Sequence, residues 1–436
     1  MYILYSLLLA LALLISMPWW TLQLIRLGKY RAGLKERLGK VPRRVERVAE
    51  RGSIWIHAVS VGEVMAVSRL VAELQKTNLE RRIFVSTTTA TGQSLARERF
   101  GESRVFFMPL DFGFCLRRYL KVLRPRLLLL AETEFWPNLL HLARKSGASV
   151  AIVNARISDR SFPRYRRFRW LFAGVLREVD LFLAQTEEDA QRLREIGALT
   201  ERVQVSGNLK FDVRDAAASP LAGNLRSAAG KDSPVWICGS TTEGEEELLL
   251  GAFRDVLERF PSAVMVLAPR HPERFDRVAN LITSRGMTLR RRSLWDGTQS
   301  LSGSIFLLDS VGELAALYAA ADVAFVGGSL LPGVGGHNIL EPAQHGVAIV
   351  VGPYTSNFRE IVRIFDTARG DTERGKGIKT VTADSLAGDL LRLLGDSPER
   401  RQLGQRAREL FAENSGATEH TLRALQPLLR EAPEPR

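Results

Sequence analysis

Cysteine is nearly missing from this chain. Cys115 and Cys238 are the only two in 436 residues, and they lie far apart. That excludes a disulfide framework and fits a reducing compartment. The six histidines are scattered, with no H-x-x-x-H or C-x-x-C spacing, and Asp-x-Asp does not occur. A dedicated metal site is therefore not expected. Acidic residues are in deficit, 48 against 61 basic, which leaves a net charge of +13. Such a surplus favours anionic partners: nucleic acid, anionic lipid or phosphorylated substrates. Hydrophobic content of 45% and charged content of 25% mark a folded chain rather than a disordered one. The length suits two domains of ordinary size plus an appendage.

Long apolar runs are also missing, with one exception. From Tyr2 to Ile25 no residue is charged, and as a helix this segment measures about 36 Å, enough to cross a hydrocarbon core. Trp19 and Trp20 sit near its end, and Arg26, Lys29, Arg31, Lys35 and Arg37 follow. The positive-inside rule puts that flank in the cytoplasm. A cleaved signal peptide needs a basic residue before the apolar core and a small-residue cleavage site after it, and neither is present. Pro18 keeps open a kinked helix lying in the interface.

Beyond residue 50, short apolar runs alternate with amphipathic patterns. The strands expected in the first half are Ile54–Val59, Ile83–Thr88, Val105–Met108, Leu127–Ala131, Val150–Asn154, Leu181–Gln185 and Val203–Ser206. Val64, Val67, Val71 and Leu74 recur at helical spacing between the first two. From Val213 to Pro234 the composition turns to Ala, Ser, Gly and Pro, which reads as a linker. The alternation resumes with Val235–Cys238, Val264–Ala268, Ile305–Leu308, Val323–Val326 and Val347–Val351. Fully apolar strands separated by helices mean parallel sheets covered on both faces. The expected fold is α/β, with two Rossmann-like domains in tandem behind an N-terminal membrane-anchor helix. The divisions are 1–26 anchor, 27–212 first domain, 213–234 linker, 235–430 second domain and 431–436 tail. Ligands of such sheets bind beyond the carboxyl ends of the strands, and the polar clusters of this sequence fall there.

The sharpest cluster is Gly327-Gly328-Ser329-Leu330-Leu331-Pro332-Gly333-Val334-Gly335-Gly336-His337-Asn338-Ile339-Leu340-Glu341-Pro342. Glycines let the backbone approach a ligand, and a helix start supplies free N–H groups, a combination suited to a nucleotide phosphate. Glu341 is placed to accept from ribose hydroxyls. The alternative is a glycine-rich surface loop. Glu63, in His57-Ala58-Val59-Ser60-Val61-Gly62-Glu63, is either a carboxylate complementing a helix dipole or a general base. Glu132 and Glu134 follow the apolar run Leu127–Leu130 and need a partner or a solvent-filled site; Lys210 is a candidate partner. Pro269-Arg270-His271-Pro272-Glu273-Arg274 offers a planar cation for phosphate. Six arginines from Arg156 to Arg169, interleaved with Phe162, Tyr165 and Phe168, suit nucleic acid or, beside a membrane anchor, anionic lipid. A solvated helix face is the plain alternative.

Taken in order, these clusters resemble the family of Kdo (3-deoxy-D-manno-octulosonic acid) transferases. The resemblance runs from about Tyr30 to Phe358 and is carried by WIHAVSVGE, STTTATG, ETEFWPN, GNLKFD, PRHPERF, VGEL, FVGGS and GGHNILEP. It implies two Rossmann-like domains of the GT-B glycosyltransferase type at the cytoplasmic face of a bacterial inner membrane. It also implies inverting transfer of Kdo from CMP-Kdo to a phosphorylated glycolipid, the lipid A precursor lipid IVA, with no metal or other cofactor and no nucleic acid. Glu63 matches the catalytic base, and Glu132 and Lys210 match positions that support the transition state. Pro269, Arg270, Val311, Gly312, Glu313, Asn338, Ile339, Leu340 and Glu341 match the CMP-binding positions. The chain departs from the pattern at Thr242, where many members carry His, at Val311 in place of a common Met, and in an extra loop residue near Pro332. The rival readings are another GT-B enzyme, such as a different lipid glycosyltransferase or a nucleotide-sugar epimerase, and a non-enzymatic membrane-attached nucleotide-binding protein.

Overall fold

The fold is taken from a computed structural model, which describes residues 1–26, 33–49, 52–77, 81–212, 219–367 and 375–431, with side chains in the first helix up to Pro18. Residues 213–218 of the expected linker and 432–436 of the expected tail lie outside the described residues, as do Lys29 and Arg31 of the basic flank. The chain divides into two compact units, Met1–Asp212 with Ser415–Arg436, and Val213–Asn414.

Among the described residues the first unit carries a parallel seven-stranded sheet. Its strands are β1 (Ile54–His57), β2 (Ile83–Thr87), β3 (Val105–Phe107), β4 (Leu127–Ala131), β5 (Ser149–Ala155), β6 (Leu181–Ala184) and β7 (Val203–Val205). Their order is β3-β2-β1-β4-β5-β6-β7, and Ile54 is in register with both Ile83 and Leu127. Alternate side chains feed two cores. Trp55, Phe84, Phe106 and Leu128 lie on one face, Ile54, Ile56, Val85 and Leu129 on the other. The helix Val61–Thr77 closes the second face with the stripe Val64, Val67, Leu70, Val71 and Leu74.

The last helix, Ala417–Glu431, belongs to this first unit, although the sequence reading assigned residues up to 430 to the second domain. Three contacts explain the difference. Leu425 and Leu429 join the core over the helix Val61–Thr77, each burial being worth roughly 1.5–3 kcal/mol. The Asp212 carboxylate accepts from Gly416 N at 2.7 Å and from Thr418 N, satisfying orphan amides at the helix start. Arg126 donates to the carbonyls of Leu429 and Arg430 at the far end, at 3.0 and 2.8 Å.

The expected membrane anchor is not supported. Tyr2–Arg26 is a helix with Pro18 inside it, but among the described residues no helix is long and apolar enough to cross a membrane. Its first turns are docked on the folded unit. The Tyr2 ring stacks on His141 at 4.0 Å and its hydroxyl donates to Glu178 at 2.7 Å. Asn138 Nδ2 donates to Ser6 Oγ at 3.0 Å. Tyr2 and Ser6 are thus used against protein, while Ile3, Leu4, Leu7, Leu8, Leu11, Leu14 and Ile15 stay exposed.

The second unit repeats the plan. Its strands are β8 (Val235–Thr241), β9 (Val264–Pro269), β10 (Leu289–Arg291), β11 (Ile305–Leu307), β12 (Val323–Val326), β13 (Ala348–Val351) and β14 (Ile378–Thr380). The order is β10-β11-β9-β8-β12-β13-β14, again all parallel. The stretch read as a linker contributes to this unit. Ser219 caps a helix over Pro220–Ala229, and Leu221, Leu225 and Ala229 are buried in a core with Ile237 and Phe306. Small residues masked an amphipathic face.

Candidate functional site

The strand order reverses between β1 and β4 in the first sheet and between β8 and β12 in the second, whose outer strands β10 and β11 are also exchanged. At such a switch point the loops leave in opposite directions and open a crevice at the carboxyl ends. Three non-glycine residues with positive φ stand beside these points: Glu132 at 55°, Asn154 at 56° and Ser240 at 56°. Asn154 and Ser240 coincide with register shifts, in β5–β6 and β8–β9. Bulges of this kind bend a strand and re-aim its side chains.

In the first unit, Glu63 stands in the first turn of the helix that follows β1 and is 8% exposed. Its carboxylate accepts from Val59 N at 2.8 Å and from Ser60 Oγ at 3.0 Å. Burial pushes the carboxyl up to about 7 against the pull of the Val59 amide, and the charges of Glu132 and Glu134 push in the same direction as burial. Near neutral pH it can therefore both take and hold a proton, as a general base requires. Glu132 follows β4, and its Oε1 accepts from Lys210 Nζ at 3.0 Å. Glu134 is likewise pushed up to about 7 by burial first and by the Glu132 charge. His57 is fully buried, its Nδ1 against Ser86, and burial lowers it to about 4, so it is neutral at pH 7.

Asn154 has no assigned role in the sequence reading, yet it positions Lys210. It is buried, and its Oδ1 accepts from Leu209 N at 2.9 Å. That bond holds the short turn Leu209–Phe211, on which Asn208 caps Lys210 N at 3.0 Å.

In the second unit, Arg270 directly follows β9 and is exposed. Its charge reaches both Glu341 and His337. Burial raises the Glu341 carboxyl, offset by the Asn338 amide, which donates to it at 3.2 Å, and by Arg270. His337 is lowered to about 4 by burial and then by Arg270. Arg270, Asn338 and Glu341 thus form one group. Ile339 and Leu340 are each 1% exposed, so their side chains serve the core. Pro269 is buried at the end of β9. Val311, 79% exposed, and Gly312 follow β11, and Glu313 accepts from Arg292 at 3.0 Å and from Ser310. β9 and β8 separate β11 from β12, and the short helix that follows Glu313 returns to β8, where Leu314 lies against Gly239.

Two expectations change here. The first amides of the glycine loop are occupied: Gly328 N, Ser329 N and Leu330 N donate to the Glu245 carboxylate at 2.7, 3.0 and 2.9 Å. A phosphate is therefore not received at that end of the loop. Arg274 is not the phosphate cation either, since it makes a bidentate pair with buried Glu246 at 2.7 and 3.0 Å. The motif Ser240-Thr241-Thr242-Glu243-Gly244-Glu245-Glu246 was visible in the sequence, but consecutive acids give no sign of which is buried.

A family model described as 3-deoxy-D-manno-octulosonic-acid transferase (kdotransferase) matches residues 32–213. The 3-deoxy-D-manno-octulosonic acid transferase of Haemophilus influenzae is 35% identical over 405 residues, 89% of this chain and 93% of that protein. The chain belongs to this family. It is also similar to the C-terminal CMP-Kdo binding domain of WaaA from Acinetobacter baumannii, at 32% identity over 43% of this chain and 97% of that one, with a TM-score of 0.38. Over 86% of its length it shares the fold of a UDP-GlcNAc 2-epimerase from Neisseria meningitidis, at 12% identity, 99% coverage of that chain and a TM-score of 0.52. That likeness concerns the fold alone. The chain is a glycosyltransferase of lipopolysaccharide synthesis.

Proposed function

We propose that this chain moves Kdo from CMP-Kdo to lipid IVA, with Glu63 as the base. The observation that carries the proposal is a carboxyl at the β1–β4 switch point, 8% exposed and pushed up to about 7. In the reaction Glu63 takes the proton of an acceptor hydroxyl while that oxygen attacks the anomeric carbon. The bond from that carbon to the CMP phosphate breaks, and the configuration inverts. Lys210, held by Glu132 and by the Asn154-bound turn, offers a cation beside the reacting oxygens. Arg270 takes up charge on the departing phosphate, and Asn338 and Glu341 hold the nucleotide. The scheme uses no metal.

The acceptor side of the proposal rests on the surface of the first unit. Met1 lies against Gly174, on the short helix Arg169–Leu176 that also carries Trp170, 77% exposed. Arg164, Arg166, Arg167 and Arg169 are exposed beside it, and Arg166 and Arg167 lie over the rings of Phe162 and Phe168. With the bare apolar face of the first helix, these residues make a surface suited to an anionic membrane interface. The test is release of CMP from CMP-Kdo, with and without lipid IVA in anionic detergent micelles or vesicles. Release that depends on lipid IVA supports the reading; no release under either condition overturns it.

A further inference from the structure

Glu245 is fully buried, and five donors converge on its carboxylate: the Gly328, Ser329 and Leu330 amides, Thr242 N at 2.9 Å and Thr242 Oγ1 at 2.9 Å. Successive amides aimed at one point form an anion nest. Here the anion is the protein's own. A buried carboxylate is tolerated only when its lone pairs are met this completely.

The bonds continue outward from the nest. Ser329 Oγ accepts from Gly352 N at 2.8 Å and donates to Val326 O at 2.6 Å. Ser329 O accepts from Tyr354 N at 2.9 Å, and Gly328 O accepts from Gly336 N at 2.7 Å. A side chain at Gly352 would lie 2.0 Å from Ser329 O, so these two loops pack backbone to backbone. Gly336 stands two residues before Asn338. Tyr354 lines a pocket of about 350 Å³ with Gly333, Gly335, Thr355, Ser356 and Arg359.

We propose that Glu245 is a positioning residue for the donor. As an internal anion it fills the nest at the end of β12, holds the glycine loop and the Gly352–Ser356 loop in one arrangement, and so assigns the nucleotide's anion to Arg270 and the Asn338–Glu341 segment. Thr242 is part of the same device. The proposal rests on the reading that the second unit takes a CMP-activated donor.

The experiment compares full-length parent, Glu245→Gln, Thr242→Val and Asp322→Asn. Asp322 is the control: its carboxylate accepts from Val235 N and Arg226 at 2.9 Å, at the amino ends of β8 and β12. CMP affinity by calorimetry, KM for CMP-Kdo, KM for lipid IVA, Tm and hydrogen exchange over residues 327–336 are measured. Glu245→Gln should raise the CMP Kd and the donor KM by roughly tenfold or more, leave the acceptor KM unchanged and speed exchange in the loop. Thr242→Val should do the same more weakly. Asp322→Asn should lower Tm without moving the donor KM. A merely structural role predicts that Asp322→Asn and Glu245→Gln behave alike once matched for Tm. Donor constants within about twofold of the parent in Glu245→Gln overturn the proposal. Should that variant fail to fold, unchanged donor constants in Thr242→Val do so. A parent chain that neither binds CMP nor releases it from CMP-Kdo overturns the functional reading and this inference with it.

Discussion

Lys210 Nζ donates to Glu132 Oε1 at 3.0 Å across 78 residues of chain, and the pair is only about one-third exposed. Glu132 in turn is one of the charges that raise Glu63. The three residues are therefore electrostatically coupled, and the coupling has a sign that can be read in the pH dependence of transfer.

Glu132→Gln removes an anion near Glu63 and should move the acid limb of kcat/KM to lower pH. Lys210→Met leaves that anion unopposed and should move the limb to higher pH. Each shift is expected to be roughly one unit or less. Rates of both variants should fall at pH 7 if, as proposed, Lys210 is the cation at the reacting oxygens, since it is displaced or lost. Limbs that move in the same direction would show that the pair does not act through Glu63.

Glu63→Gln should lose roughly 10²–10⁴ in transfer while keeping CMP binding. Its stability should also change with pH in a defined direction. The native carboxyl is raised from 4.5 to about 7, so between those values the folded state holds a proton that the unfolded chain has released. This contribution is full below the unfolded value and is lost as pH rises through about 7. The neutral glutamine can still accept from Val59 N and escapes that loss. The Tm of Glu63→Gln relative to the parent should therefore rise from pH 5 to pH 8. A constant or falling difference would contradict the assignment of the raised carboxyl to Glu63.

Arg270→Ala and Glu341→Ala should each weaken CMP binding, the first through phosphate and the second through ribose or through its bond to Asn338. Loss of a charge-assisted hydrogen bond corresponds to roughly ten- to hundredfold in affinity. Arg274→Ala should differ from both. It strands buried Glu246, so it should cost stability first. Calorimetric titrations beside melting curves separate the two effects, and unchanged CMP affinity in Arg270→Ala and Glu341→Ala would move the nucleotide site elsewhere.

Much of this was legible in the sequence because apolar runs announce buried parallel strands. All strands of the first sheet and the inner strands of the second fall on runs such as Leu127–Leu130 and Val323–Val326. The flanking strands β10 and β14 did not stand out: Leu289-Arg290-Arg291 and Ile378-Lys379-Thr380 are short and charged, as sheet edges tend to be. Glu63, Glu132 and Lys210 were visible as polar residues at strand ends. What pattern alone does not reveal is a contact made across the chain. Nothing local marks Asp212 as the cap of a helix beginning after Gly416, or Glu245 rather than Glu246 as the occupant of the glycine-loop nest. Likewise, hydropathy counts the residues from Tyr2 to Ile25 without registering that Tyr2 and Ser6 are bonded to the folded unit.

That docking bears on the last prediction, which concerns Arg164, Arg166 and Arg167. They are exposed on the helix Phe162–Arg167, next to exposed Phe168 and Trp170. An arginine near an anionic bilayer is worth about 1 kcal/mol, and the attraction fades with salt. Replacing all three by alanine should raise the apparent KM for lipid IVA in anionic vesicles, flatten the salt dependence of transfer and leave CMP affinity unchanged. Trp170→Ser acts on the same surface through apolar contact instead, so it should weaken vesicle binding while preserving the salt dependence. A solvated helix face predicts parental kinetics from both variants. Acceptor kinetics and salt response equal to the parent's in the triple variant would remove the arginines from lipid docking, and the net charge of +13 would then have to act elsewhere on the molecule.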